Sequence, residues 1–139
     1  MLEIIRIYPL SIEEFTNTEA IKYYFQNTLK EKDGKFLYRN KLIKAETGTL
    51  VVFQFQGYLV AQAKLLEIEK YKIPMIRNNV MYCGHFLFDS NTISYYRNPI
   101  SASEFYKIYP DKHLNRVMHI LDNKEKNKFL LELIDNKQR

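Results

Sequence analysis

The sequence predicts an α+β domain, a small curled antiparallel β-sheet or barrel with flanking helices. Three observations lead there. Runs rich in β-branched and aromatic residues, bounded by turn signals, crowd the middle of the chain. Helical periodicity and capping signatures stand at both ends. The length of 139 residues suits one domain with a single substantial core.

The elements follow in order. Residues 2–8 read as a first strand stopped by Pro9. Ser11 and Glu14 have the capping-box spacing, so a helical turn is expected there, with Ile12 and Phe15 on its apolar side. A stronger helix starts at Thr18: Ile21, Tyr24, Phe25, Thr28 and Leu29 recur at helical spacing and form one inward stripe, which Asp33-Gly34 ends. Residues 36–44 read as a strand or extended stretch.

After Gly48, residues 50–55 form a buried strand, and Gln56-Gly57 supplies a two-residue hairpin turn. The return strand, about 58–69, is long enough that bending is expected. Residues 70–79, with Pro74 and Asn78-Asn79, read as a polar loop. Residues 80–88 and 92–97 then make a second hairpin around Asp89-Ser90-Asn91, and Asn98-Pro99 breaks the sheet. Ser101 and Glu104 repeat the capping-box spacing and open a short helix over 102–109, ended by Pro110. Leu114, Val117, Met118 and Leu121 match a helical template, yet His119 and Ile120 suit a last strand equally, so both readings stand. Residues 122–125 cap a final helix with Phe129, Leu130, Leu133 and Ile134 inward. The expected core includes Ile21, Phe25, Leu29, Val52, Phe53, Leu59, Ala61, Phe86 and Phe88. The chain reads as a single domain over 1–139, with 123–139 a terminal helix leading toward a further domain.

Hydrophobic residues at 46% and charged residues at 27% exclude wholesale disorder. No apolar run reaches the length of a membrane span and no signal peptide opens the chain, so a cytoplasmic protein without a membrane partner is expected. No phosphate-binding glycine motif is present. One cysteine and three histidines, with His113 and His119 at the wrong spacing for one helix face, predict no metal site and no cofactor. Cys83 and His85 fall on one face of a strand, the geometry of an activated thiolate, although an apolar strand more often holds a cysteine as a small core residue.

Lysine and arginine number 21 against 16 acids, a net charge of +5, and their placement is uneven. Lys30, Lys32, Lys35, Arg39, Lys41 and Lys44 fall within fifteen residues, with a smaller cluster at Lys70, Lys72 and Arg77. Such runs bind anionic polymers or merely solvate a loop. Aromatics are 14% of the chain, eleven tyrosines and nine phenylalanines with no tryptophan. Tyrosine offers a flat face and a hydroxyl, which suits either an unstacked base or a half-buried sheet surface.

The stretch Gly48-Thr49-Leu50-Val51-Val52-Phe53-Gln54-Phe55-Gln56-Gly57-Tyr58-Leu59-Val60-Ala61-Gln62-Ala63 resembles the central hairpin of PUA-like domains, the superfamily of the PUA, ASCH, EVE, YTH and SRA branches. Residues 82–89, then 92–96 and 98–101, resemble later strands of PUA-like modules at the amino end of some bacterial modification-dependent restriction nucleases. The likeness covers roughly residues 2–121 and consists of patterns of residue class.

It implies recognition of nucleic acid, DNA more than RNA, through a modified or flipped base held in an aromatic-lined pocket. Several branches line that pocket with tryptophan, so here tyrosine or phenylalanine would serve. On this reading Arg39, Lys41, Lys44 and Arg97 hold the nucleic-acid backbone, and Tyr38, Tyr82, Tyr95, Tyr96 and Asn98 meet the base. A cavity between the two hairpins and the first strand, with Tyr82 and Tyr95 in its walls, is expected. No catalytic motif accompanies the module, which implies a binding domain, with a nuclease domain in the same or a partner chain. The alternative is an ASCH-like small hydrolase or ribonuclease acting on RNA or a modified nucleoside.

Overall fold

The structure, a computed structural model, describes residues 4–39, 44–115 and 117–139. In order they form β1 (Ile5–Pro9), α1 (residues 18–31), β2 (Lys35–Tyr38), β3 (Leu50–Phe55), β4 (Tyr58–Arg77), β5 (Val80–Phe88), β6 (Ser94–Ser101), α2 (Ala102–Ile108), β7 (His119–Leu121) and α3 (Lys124–Lys137). The seven strands make one sheet, β2-β5-β4-β3-β1-β7, with β6 also on β4. Its end strands β2 and β7 do not meet, so the sheet is curled and open rather than a closed barrel.

β3 explains both cores. Alternation along a strand sends successive side chains to opposite faces. Val51, Phe53 and Phe55 therefore join Phe25, Leu29, Phe36, Phe86 and Phe88 in one apolar cluster, under α1. Val52 joins Ile7, Leu59, Tyr96, Phe105, Leu130 and Ile134 in a second, under α2 and α3. Helices thus cover the sheet on both faces, and a strand buried on both faces reads as an unbroken apolar run.

The helix from Thr18 is capped by Asn17, whose side-chain oxygen accepts the Ala20 N–H at 2.9 Å. It starts as an α-helix over Thr18–Tyr23, widens to a π-helical segment over Tyr24–Thr28 and closes with Leu29–Glu31. Tyr24 and Phe25 both reach the aromatic core, where Tyr24 meets Phe15, Phe25 and Phe36 edge-on. Every residue named above as expected core is buried. The Ser101–Glu104 capping box is complete, with Glu104 Oε1 accepting the Ser101 N–H at 3.1 Å and Ser101 Oγ accepting the Glu104 N–H at 3.2 Å.

Several expectations are corrected. Residues 70–79 are not a loop: β4 continues to Arg77 and turns at Asn78-Asn79, both left-handed (φ 52° and 64°), so that Arg77 pairs with Val80 and Met75 with Tyr82. Pro74 cannot donate to the ladder, and four residues, Tyr71 to Pro74, bulge out opposite Cys83 alone. β5 and β6 do not form a hairpin. A turn over Ser90–Thr92, held by Asp89, redirects the chain, and the two strands follow one another along β4. Asn98-Pro99 does not end the strand; it bulges while Ile100 and Ser101 pair again with Leu59 and Tyr58.

Ser11–Glu14 makes a single turn and no helix. Residues 119–121 are a strand, antiparallel to β1, and Val117 is exposed. Phe129 is also exposed, since Leu130 and Ile134 set the inward face of α3. β1 and β3 pair in parallel, the one parallel pair among the described strands. No helix among the described residues is long and apolar enough to cross a membrane.

Candidate functional site

β1 and β3 run side by side, so their C-terminal ends open together on one cleft of about 530 Å³. That volume lies in the range of small-ligand sites. Its first wall is the turn after β1. The Leu10 N–H donates to the Gln54 carbonyl at 2.8 Å, and the Ser11 carbonyl accepts from Glu14 and Phe15 at 3.1 and 2.9 Å. Ser11 Oγ accepts the Glu13 N–H at 3.0 Å. Phe15 is buried and ties this turn to the core, which leaves Glu13 at the rim and Glu14 half-buried.

The opposite wall is the Gln56-Gly57 hairpin turn, with φ positive at both residues (49° and 84°) as a tight two-residue turn requires. Leu114 and Asn115 complete it. The polar equipment comes from three sources. Arg39, just past β2, lies with Nη1 3.9 Å from Glu13 Oε2, a solvent-screened pair of little energetic weight. Its Nε is buried with no acceptor among the described residues.

Gln54 is the second source, only 4% exposed in the middle of an apolar strand. Its Nε2 donates to the Asn115 carbonyl, while Oε1 has no donor among the described residues. Glu14 is the third: its negative charge, after burial itself, helps push the hydroxyls of Tyr8 and Tyr24 far above the usual tyrosine value. An acceptor, a planar donor and carboxylates thus surround one cavity, which suits the edge of a flat polar ligand. No group of three or more His, Cys, Asp or Glu that could hold a metal occurs among the described residues.

Of the residues expected to contact nucleic acid, the structure brings one, Arg39, to this cleft. Lys41 lies outside the described residues. Lys44 is exposed and its carbonyl accepts from Arg6. Arg97 and Asn98 lie elsewhere, against the end of α3: Arg97 Nη2 donates to the Arg139 carbonyl at 3.2 Å and Asn98 Nδ2 to the Lys137 carbonyl at 2.6 Å.

Tyr38 and Tyr96 have no ring face open to a base. Tyr38 stacks on Phe86 at 4.7 Å between centroids, with Gly84 leaving room for its ring. Tyr96 is buried in the second core and donates to Gln62 Oε1 at 2.7 Å. Tyr82 and Tyr95 are half-buried on strands that do not pair, and neither lines the cleft. The expected aromatic walls are therefore absent from it. Cys83 packs against the core, and His85 Nδ1 is 2.7 Å from the Tyr71 hydroxyl.

Sequence reasoning passed over Gln54, and it read Glu13-Glu14 as the start of a capped helix rather than as a site. The signal for Gln54 was one amide in the run Val51-Val52-Phe53-Gln54-Phe55, since a polar group is rarely buried without a partner or a purpose.

Taken together, the curled, open sheet and the helices on both of its faces define a mixed α+β fold. Among solved structures the chain is similar to ASCH from Zymomonas mobilis, at TM-score 0.59 and 11% identity, with 93% of this chain and 94% of that one covered. A Ser-to-Ala mutant of that protein gives 0.61 and 13%, covering 93% and 95%, and a Tyr-to-Phe mutant 0.62 and 11%, covering 93% and 97%. At these identities the likeness is one of fold. No family model and no curated protein matches the sequence.

Proposed function

We propose that the protein is a nucleic-acid-binding module that takes one unstacked base into the cleft between the turn after β1 and the β3–β4 hairpin. The observation that carries this reading is the buried Gln54 amide, with an oxygen that no described residue satisfies, in the lining of a cleft of about 530 Å³ that Arg39 also lines. A base edge carries donors and acceptors in one plane, so it can donate to Gln54 Oε1 and accept from the Arg39 guanidinium. Recognition here rests on the base edge, not on stacking.

The target is a modified or flipped base in DNA, as the sequence resemblance implies, and a nuclease in the same or a partner chain would act on what the module marks. The test is titration of the protein, Arg39→Ala and Gln54→Ala with labelled single-stranded DNA and RNA, modified and unmodified. Selective loss of binding in both variants, with folding preserved, supports the reading; unchanged affinity in both overturns it.

A hydrolytic reading has one observation of its own, the carboxylates of Glu13 and Glu14 beside Arg39, which could move a proton and neutralise charge on a phosphoester. Turnover of RNA or a modified nucleoside by the purified protein, abolished by Glu14→Gln, would establish it.

A further inference from the structure

The last part of β4 and the first part of β5 leave the rest of the sheet behind. β2 stops pairing with β5 at Gly84, and among the described residues β4 pairs beyond Leu65 with β5 alone. What remains is a two-stranded ribbon, closed by Asn78-Asn79, that extends about 13 Å past Gly84 at ~3.3 Å per residue.

Its surface is not that of a solvated hairpin. Ile73 is 84% exposed, Ile76 69% and Met81 55%. Ile76 and Met81 are cross-strand partners and so share one face. From Lys70 to Tyr82 the ribbon carries Lys70, Lys72 and Arg77 and no acid. Next to it lies the exit of α1, where Lys32 is held below the ordinary lysine value by burial and then by the positive charges of Arg77 and Lys35. Like charges gathered around an exposed apolar strip need an anionic partner that also presents apolar groups.

We propose that this ribbon enters the major groove of double-stranded B-form DNA, with Ile76 and Met81 toward the base edges and Lys32, Lys70, Lys72 and Arg77 toward the flanking phosphates. The groove, about 12 Å wide, admits a two-stranded β-ribbon, and its floor offers the thymine methyl as an apolar contact. The deep, narrow major groove of an RNA duplex admits no such element. The inference deepens the nucleic-acid reading and rests on it: the cleft takes one base while the ribbon holds the adjoining duplex.

The test uses the full chain and three probes: a mixed-sequence 20-base-pair DNA duplex, the same duplex with uracil for thymine, and the RNA duplex of that sequence. Lys70→Ala/Lys72→Ala/Arg77→Ala is expected to weaken DNA-duplex binding roughly tenfold at low salt, and to reduce the slope of log affinity against log salt by about 2.7. Ile76→Ser/Met81→Ser is expected to remove the preference for thymine over uracil with little change in salt slope.

Arg39→Ala separates the two readings. It should weaken binding of a single strand and keep the duplex preference for thymine over uracil. Ribbon variants that bind the duplex as the parent does, while Arg39→Ala still weakens the single strand, overturn the ribbon alone. No binding of any strand by the parent overturns both readings. Equal affinity for RNA and DNA duplexes overturns the groove assignment. So does a dimer that Ile76→Ser/Met81→Ser converts to monomer with DNA binding unchanged, because the strip then serves a second copy of the chain.

Discussion

Replacing Gln54 by leucine separates the folding role of this residue from its binding role. In the parent, Oε1 is buried without a donor among the described residues, and an unsatisfied buried polar atom costs about 1–3 kcal/mol. Against this, the Nε2 bond to the Asn115 carbonyl contributes about 0.5–1.5 kcal/mol. Leucine removes both terms and keeps an apolar side chain in the strand. The Asn115 carbonyl belongs to an exposed residue and can turn to water. The net expectation is a protein as stable as the parent, or more stable by up to ~2 kcal/mol.

For a chain of this length 1 kcal/mol moves Tm by roughly 3–4 °C, so calorimetry should show Tm unchanged or raised by several degrees. The same variant should bind single-stranded oligonucleotide at least roughly tenfold more weakly, the equivalent of ~1.4 kcal/mol. Anisotropy titration beside the melt reads both quantities on one sample. A Tm lowered by several degrees with affinity intact would refute the reasoning, because the amide would then be a structural bond and no ligand acceptor.

Three further outcomes are expected. In Gly84→Ala the new Cβ meets the Glu69 carbonyl oxygen at 2.1 Å and the Tyr38 hydroxyl at 2.4 Å, so a thermal melt should show a loss of about 1–3 kcal/mol, and trimming Tyr38 should not rescue it because the carbonyl stays in place. Tyr109→Phe removes the hydroxyl whose single proton lies between Asn127 Oδ1 and the Asn123 carbonyl at the start of α3, and urea unfolding should register about 1–2 kcal/mol of destabilisation at unchanged slope.

The third concerns pH. Burial and then Lys35 hold the His85 ring below the usual histidine value, against the opposing pull of Glu69 and Glu67, so the ring is neutral at pH 7 and Nδ1 shares a hydrogen bond with the Tyr71 hydroxyl. As pH falls below about 6.5 the unfolded chain takes up this proton before the folded one does, and stability drops until the folded ring titrates as well. Unfolding free energy measured from pH 7.5 to 5 should fall less steeply in His85→Gln, and equal slopes would count against the assignment.

Much of the architecture was legible because it is written in neighbouring residues. The Gln56-Gly57 turn, the Asn17-capped stripe from Ile21 to Leu29 and the Ser101–Glu104 box each depend on side chains within a turn or two of one another. The β3–β4 hairpin was legible in the same way, since its strands are joined by a tight turn and pair locally.

The basic clusters were visible as counts, but their geometry was not. Lys70, Lys72 and Arg77 read as loop residues because Pro74 and two asparagines are turn signals. Only the pairing of Arg77 with Val80, and of Met75 with Tyr82, shows that the strand resumes past the bulge. The tyrosines misled for a related reason. A tyrosine beside a basic residue looks exposed along the chain, yet Tyr38 and Tyr96 sit at strand positions whose inward face is decided by distant partners, Phe86 for one and Gln62 for the other.

By itself, then, the sequence determined the class of fold, the turns and caps, the core residues around α1, β3 and β4, and the basic clusters. Tertiary structure alone decided that β1 lies parallel to β3, that β7 closes onto β1 from over a hundred residues away, and that Gln54 and Arg39 line one cleft. The physical reason is the range of the interactions. Turns, caps and periodicity depend on residues a few positions apart, where type and spacing suffice. Strand order, and which polar atom is left buried without a partner, depend on contacts between segments distant in the chain, and these are settled only when the whole sheet packs.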